Sequence, residues 1–70
     1  MAELPGAAVK RVIAQSGGEL RISGSAVQLA VAAAESYLGR LAREAGANAT
    51  REKRKTIMDA DIQRAREIVG

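Results

Sequence analysis

Seventy residues with 47% apolar content and one aromatic residue make a single small domain, spanning residues 1–70, and a core of that size rarely supplies more than about 3–5 kcal/mol unaided. The absence of cysteine and histidine excludes disulfides, thiolate or imidazole metal sites and the usual nucleophile–base pairs, so no cofactor is expected and association with another chain is left as the source of stability. A net charge of +3 per chain, or +6 for two copies (2 × 3), is a moderate basic excess that suits nucleic acid, an anionic membrane surface or an acidic protein.

The first predicted helix runs from about Pro5 to Ala14. Pro5 fits an early helical position, where its missing N–H has no partner to lose. Val9, Val12 and Ile13 form an apolar stripe, with Lys10, Arg11 and Gln15 off it. Ser16-Gly17-Gly18 ends the helix, because glycine accepts the left-handed backbone that a helix C-terminus uses. In the connector Glu19-Leu20-Arg21-Ile22, apolar and charged residues alternate, as in a very short extended piece. Ser23 is the expected N-cap of the next helix, with Ser25 as its rival.

The second helix is expected from about Gly24 to about Glu52. Val27, Ala30, Val31, Ala34, Tyr37, Leu38, Leu41, Ala42 and Ala45 keep helical spacing along it. Its length exceeds what one short helix covers, so much of its apolar face calls for a second chain. Gly39 and Gly46 each weaken it by about 1 kcal/mol relative to alanine. Either they permit close helix crossing, or Gly46 ends the helix and Ala47 to Thr50 is a loop; one continuous helix is the favoured expectation. The basic bend Arg51-Glu52-Lys53-Arg54-Lys55-Thr56-Ile57 follows, and Thr56-Ile57-Met58-Asp59 has the spacing of a capping box. The last helix is expected from about Asp59 to Val69, with Asp59 and Asp61 favoured in its first turn by the helix dipole and Ile62, Ala65, Ile68 and Val69 on its apolar side.

No secretory leader is expected from Met-Ala-Glu, and the longest apolar run, Leu29 to Ala34, is too short for a bilayer, so a cytoplasmic protein without a membrane partner is the expectation. An enzyme is disfavoured: without His or Cys, only carboxylates, Lys, Tyr37 and Ser/Thr remain, and Asp59 with Asp61 is better explained by the helix dipole.

Several phrases, in order and nearly at family spacing, make the chain resemble the archaeal histones. These are Glu3-Leu4-Pro5 with Val9, Arg11, Val12 and Ile13; Gly17-Gly18-Glu19 through Arg21-Ile22-Ser23; and Arg54-Lys55-Thr56-Ile57 with Asp61, Ile62 and Ala65. The resemblance covers nearly the whole chain. It implies an all-α histone fold of short, long and short helices, paired head to tail in a handshake homodimer. It also implies sequence-tolerant binding, bending and compaction of double-stranded DNA, in a nucleoid-associated setting.

By resemblance, the two loops meet across the dimer and grip DNA. Lys55 is then the direct phosphate contact, and Lys53 adds a more diffuse contribution. Arg21 enters the minor groove, steadied by Thr56 of the other copy, since narrow minor grooves concentrate negative potential. Arg11 contacts phosphate with help from Lys10; an ion pair with Glu3 or Glu19 is the rival use of Arg11. Arg54 and Asp61 match an intrachain clamp between the second loop and the last helix. The family's dimer–dimer contact falls on Asn48, Arg51, Asp61 and Arg64. Polar or charged residues there replace apolar family ones, with Arg51 where a histidine usually stands. Arg51 is placed to pair with Asp61 of a neighbouring dimer, although Asp61 does not readily serve both Arg51 and Arg54. Higher oligomers are therefore expected to be weak. The alternative function is a histone-fold interaction module that pairs with a second histone-fold chain within a larger assembly.

Overall fold

The computed structural model describes residues 5–18 and 20–70. It contains three helices: α1 (Gly6–Ser16), α2 (Gly24–Arg51) and α3 (Asp59–Val69), with no strand among the described residues. The chain divides into two compact units between Ser36 and Tyr37, so that α2 contributes its first part to one and its second part to the other.

In the N-terminal unit, α1 begins after Pro5, whose φ of −65° and ψ of 124° place it at the cap rather than inside the helix. The helix continues two residues beyond the expected Ala14. It closes with the Gly17 amide donating to the Ile13 carbonyl at 2.7 Å, and Gly18 follows with φ +76°. That left-handed value is what glycine permits cheaply. Leu20 to Ser23 have no regular structure, so the expected extended piece is not a strand; its Glu19 lies outside the described residues. Ser23 caps α2, accepting the Ala26 amide on Oγ at 3.1 Å. Ser25 stands 3.4 Å away, oxygen to oxygen, and is the second residue of the helix rather than its cap.

No described residue of this unit is buried. Pro5, Ala8, Val9 and Ile13 instead line an apolar hollow of about 350 Å³ together with Ala30 and Ala34. Val12 also lines it and is 58% exposed, and Leu29, on α2, is 74% exposed. The apolar stripe predicted for α1 exists, but the described residues cover it only in part, with Val9 and Ile13 half-buried and Val12 exposed.

The C-terminal unit holds the core. Leu41, Ala45 and Ala65 cluster, with Tyr37, Ile62 and Val69 packed around them, and Ala49 is buried too. Alanines at 45, 49 and 65 are at most 3% exposed, so α2 and α3 approach each other through their smallest side chains. Leu41 is the one large fully apolar side chain in the buried set, worth about 1.5–3 kcal/mol on burial. So small a set of buried apolar side chains among the described residues is in line with the expectation of a second chain.

α2 has 28 residues and passes Gly39 and Gly46 without a break, which makes it about 42 Å long. The reading in which Gly46 ends the helix is thereby excluded. α3 starts where expected, but its cap is Met58 rather than Thr56. Met58 is extended (φ −115°, ψ 173°), and its amide donates to Asp61 Oδ2 at 2.8 Å. One half of the arrangement expected of Thr56 and Asp59, the carboxylate reaching back to the cap amide, thus lies two residues further on. The carboxylate of Asp61 can reach back to the cap amide, whereas the Thr56 hydroxyl makes no cap bond.

Candidate nucleic-acid interface

The bend between α2 and α3 is built from the backbone outward. At the end of α2, the Lys53 amide donates to the Thr50 carbonyl and the Arg54 amide to the Ala49 carbonyl, both at 2.9 Å. This pair of bonds satisfies helix-end carbonyls and forces the residue between into the left-handed region. That residue is Lys53, with φ 60°. A non-glycine residue held there costs roughly 1–2 kcal/mol.

Asp61 then fixes the bend to α3. Its side chain is completely buried, and each carboxylate oxygen accepts two hydrogen bonds. Oδ2 takes Arg54 Nη1 and the Met58 amide, both at 2.8 Å. Oδ1 takes Arg54 Nη2 at 2.9 Å and Asn48 Nδ2 at 2.6 Å. The Arg54 pairing is bidentate, the geometry in which a guanidinium binds a carboxylate most specifically. Arg54 Nη1 also donates to the Thr56 carbonyl at 3.1 Å, and Glu52 lies 3.9 Å from Nη2.

The electrostatics follow from that geometry. The Arg54 guanidinium, then the Met58 amide, then the Asn48 amide hold the Asp61 carboxyl far below the usual carboxylate range, against the opposing effect of burial. The bond to Asp61 likewise raises Arg54 above its ordinary value. Ionised Asp61 is therefore a fixed part of the fold.

Asn48 and Arg51 complete a chain of contacts. Arg51 Nη2 donates to Asn48 Oδ1 at 3.1 Å, and Asn48 in turn donates to Asp61. Arg51 thus reaches Asp61 of its own chain only through Asn48, and the acceptor positions of Asp61 are filled within the chain. Sequence reasoning missed this use of Asn48. Thirteen residues separate it from Asp61, and no local spacing relates them. It also missed the left-handed Lys53, because no glycine follows α2 to mark that position.

The other candidate residues are distributed as follows. Lys53, Lys55 and Thr56 are exposed on the bend that Arg54 pins, and Arg51 and Arg64 are exposed on α2 and α3. In the N-terminal unit, Lys10 and Arg21 line one hollow of about 440 Å³ with Ala14, Leu20 and Ile22, so the structure brings these two cations together. Arg11 is exposed on α1; of its rival partners, Glu3 and Glu19 lie outside the described residues.

Among the described residues no acidic cluster able to hold a metal ion occurs, and no helix is long and apolar enough to cross a membrane. Curated proteins include no match to this chain. The family model of the core histone H2A/H2B/H3/H4 domain, by contrast, matches residues 4–68. That family consists of non-enzymatic, chromatin- or nucleoid-associated proteins that bind DNA and pair through the histone fold, and its short–long–short helical order is the order found here. With its match running through all three helices and the pinned bend, this chain belongs to the histone-fold family.

Proposed function

We propose that the chain acts as a single histone-fold domain of archaeal type that forms a homodimer and binds, bends and compacts double-stranded DNA without strong sequence preference. The observation that carries this reading is the bend after α2: Arg54 is committed to a buried carboxylate, while Lys53, Lys55 and Thr56 stay exposed on the rigid turn it creates. Phosphates are bound best by donors fixed at a set separation, and a pinned turn supplies that. Arg54 serves as the clamp with Asp61, and Lys55 serves as the phosphate contact. Lys10 and Arg21, gathered on one hollow, add a second cationic point, with Arg21 directed to the minor groove and steadied by Thr56 of the other copy; Arg11 contacts phosphate from α1. The uncovered apolar hollow between α1 and the start of α2 supports dimerisation, and a second copy of the chain is the partner proposed.

Contacts between dimers are weak in this reading. The surface assigned to them carries Arg51 and Arg64, and Asp61 has no open acceptor position to offer a neighbour. A self-complementary contact sets a patch against its own copy, so cations would face cations. The protein is non-enzymatic in this proposal and belongs to the nucleoid of a cytoplasm.

Fluorescence anisotropy with a labelled duplex tests the reading. Lys55→Ala should weaken binding about equally on unrelated sequences and reduce the salt slope by about 1 for each phosphate that is no longer neutralised. Arg21→Ala should weaken binding most on duplexes with narrow minor grooves. If both variants bind as the parent chain does, the proposed DNA face is wrong. Mixed-chain sedimentation, with a second histone-fold chain displacing the homodimer, would favour the interaction-module alternative.

A further inference from the structure

The two compact units divide the charge unequally. Residues 1–36 carry three basic and three acidic side chains, and residues 37–70 carry eight basic and five acidic ones, so the whole net charge of +3 belongs to the C-terminal unit. Of those eight cations, Arg54 is consumed by Asp61, and Lys53 and Lys55 sit on the bend. The other five are all arginines on the two helices: Arg40, Arg43 and Arg51 on α2, and Arg64 and Arg66 on α3.

Positions 40, 43, 47 and 51 recur at three- and four-residue spacing, so they share one face of α2, turned away from the buried Leu41, Ala45 and Ala49. Arg40, Arg43, Ala47 and Arg51 are all exposed. Each arginine of this row is steered by an uncharged neighbour. The Arg40 guanidinium lies over the Tyr37 ring, 5.8 Å from its centroid, within cation–π range. Arg43 folds back along the helix until its Nη1 is 3.5 Å from where a Cβ on Gly39 would stand. Arg51 Nη2 donates to Asn48 Oδ1 at 3.1 Å. None of the three forms an ion pair among the described residues, not even Arg40 with Glu44, four residues on, where helices commonly pair opposite charges. Like charges as close as Arg40 and Arg43 repel, so nothing inside the chain accounts for the row.

We propose that Arg40, Arg43 and Arg51 form a docking surface for an acidic α-helix of another protein, whose carboxylates pair with the three guanidinium groups. The row covers about 16 Å of a straight helix, and a helix lying alongside repeats the same spacing. Ala47, small and exposed in its middle, lets that backbone approach. Arginine is enriched and lysine depleted at protein interfaces, and these helices carry arginine alone while the lysines of this unit stay on the bend. A second copy of the chain, set face to face, would oppose arginine with arginine. A DNA duplex laid on a straight, convex helix curves away from it and does not follow the whole row. The surface is separate from the bend assigned to DNA, and the proposal does not depend on that assignment.

The test is fluorescence anisotropy with a labelled alanine-rich helical peptide, its glutamates placed to face the three arginines in either direction, and with a glutamine version as control. The parent chain should bind the glutamate peptide and not the glutamine one. Replacing Arg40, Arg43 and Arg51 together by glutamine, which keeps a high helix propensity, should weaken peptide binding about tenfold or more. Replacing Lys53 and Lys55 together by glutamine should leave peptide binding unchanged within about twofold. If the triple variant melts early, the single variants Arg40→Gln, Arg43→Gln and Arg51→Gln carry the test, each with about a twofold loss. No binding by the parent chain, equal binding of the two peptides, or equal losses in the row and bend variants would each overturn the proposal. So would a row variant that loses affinity for a duplex while it still holds the peptide, since the row would then be a second DNA surface.

Discussion

Replacing Asn48 by alanine removes one of the four donors to Asp61 and releases Arg51 from its anchor. A hydrogen bond to a charged group is worth about 1.5–3 kcal/mol. The lower part of that range applies, because Asn48 is only half-buried and Oδ1 keeps Arg54 Nη2. Alanine also favours the helix over asparagine by about 0.6 kcal/mol. The expected net loss is about 1–2 kcal/mol, or about 5–10 °C in melting temperature for a domain of this size. Urea unfolding at a fixed chain concentration measures it, since an associating chain has a concentration-dependent midpoint. The effect on acid stability follows in sign. Asp61 has a folded pKa below its unfolded value of about 3.9, so its contribution is present above that pH and is lost as pH falls toward the folded value. With Asn48 gone the depression is smaller, and the acid-induced loss should be complete at a higher pH than in the parent chain. An unchanged urea midpoint together with an unchanged acid limb would refute the assignment of Asn48 to the Asp61 cluster.

Ser23→Ala removes the oxygen that accepts the Ala26 amide and should cost about 1 kcal/mol, read as a lower melting temperature with no change in fold. Gly46→Ala adds a Cβ with nothing within 4 Å of it and should stabilise α2 by about 1 kcal/mol; a loss instead would show that another chain packs against that point. The same variant, followed by sedimentation, separates a helix effect from an interface effect.

The helices were legible because their signals are local. The spacing of Val27 through Ala45 and the absence of any breaker stronger than a single glycine set α2, and the dipole preference of Asp59 and Asp61 set the start of α3. The cap of α3 was misplaced because threonine is the stronger local signal, whereas the structure uses a methionine amide and a carboxylate three residues on. The pairing of Arg54 with Asp61 came from family resemblance rather than from spacing. A separation of seven residues across a turn carries no periodicity. Asn48 was harder still, since its partner lies across the turn on another helix. The uncovered hollow of the N-terminal unit was foreseeable in kind, from an apolar share too large for so short a chain to bury. Which residues line it depends on how α1 lies against α2, and sequence pattern alone does not specify that.

The central claim is tested most directly by the salt dependence of affinity on two unrelated duplexes of equal length. If Arg11, Arg21 and Lys55 of two chains each meet a phosphate or groove, the slope of log affinity against log salt should be about −5 or steeper, and the two duplexes should give superimposable lines. A slope near zero, or lines separated by orders of magnitude, would contradict it.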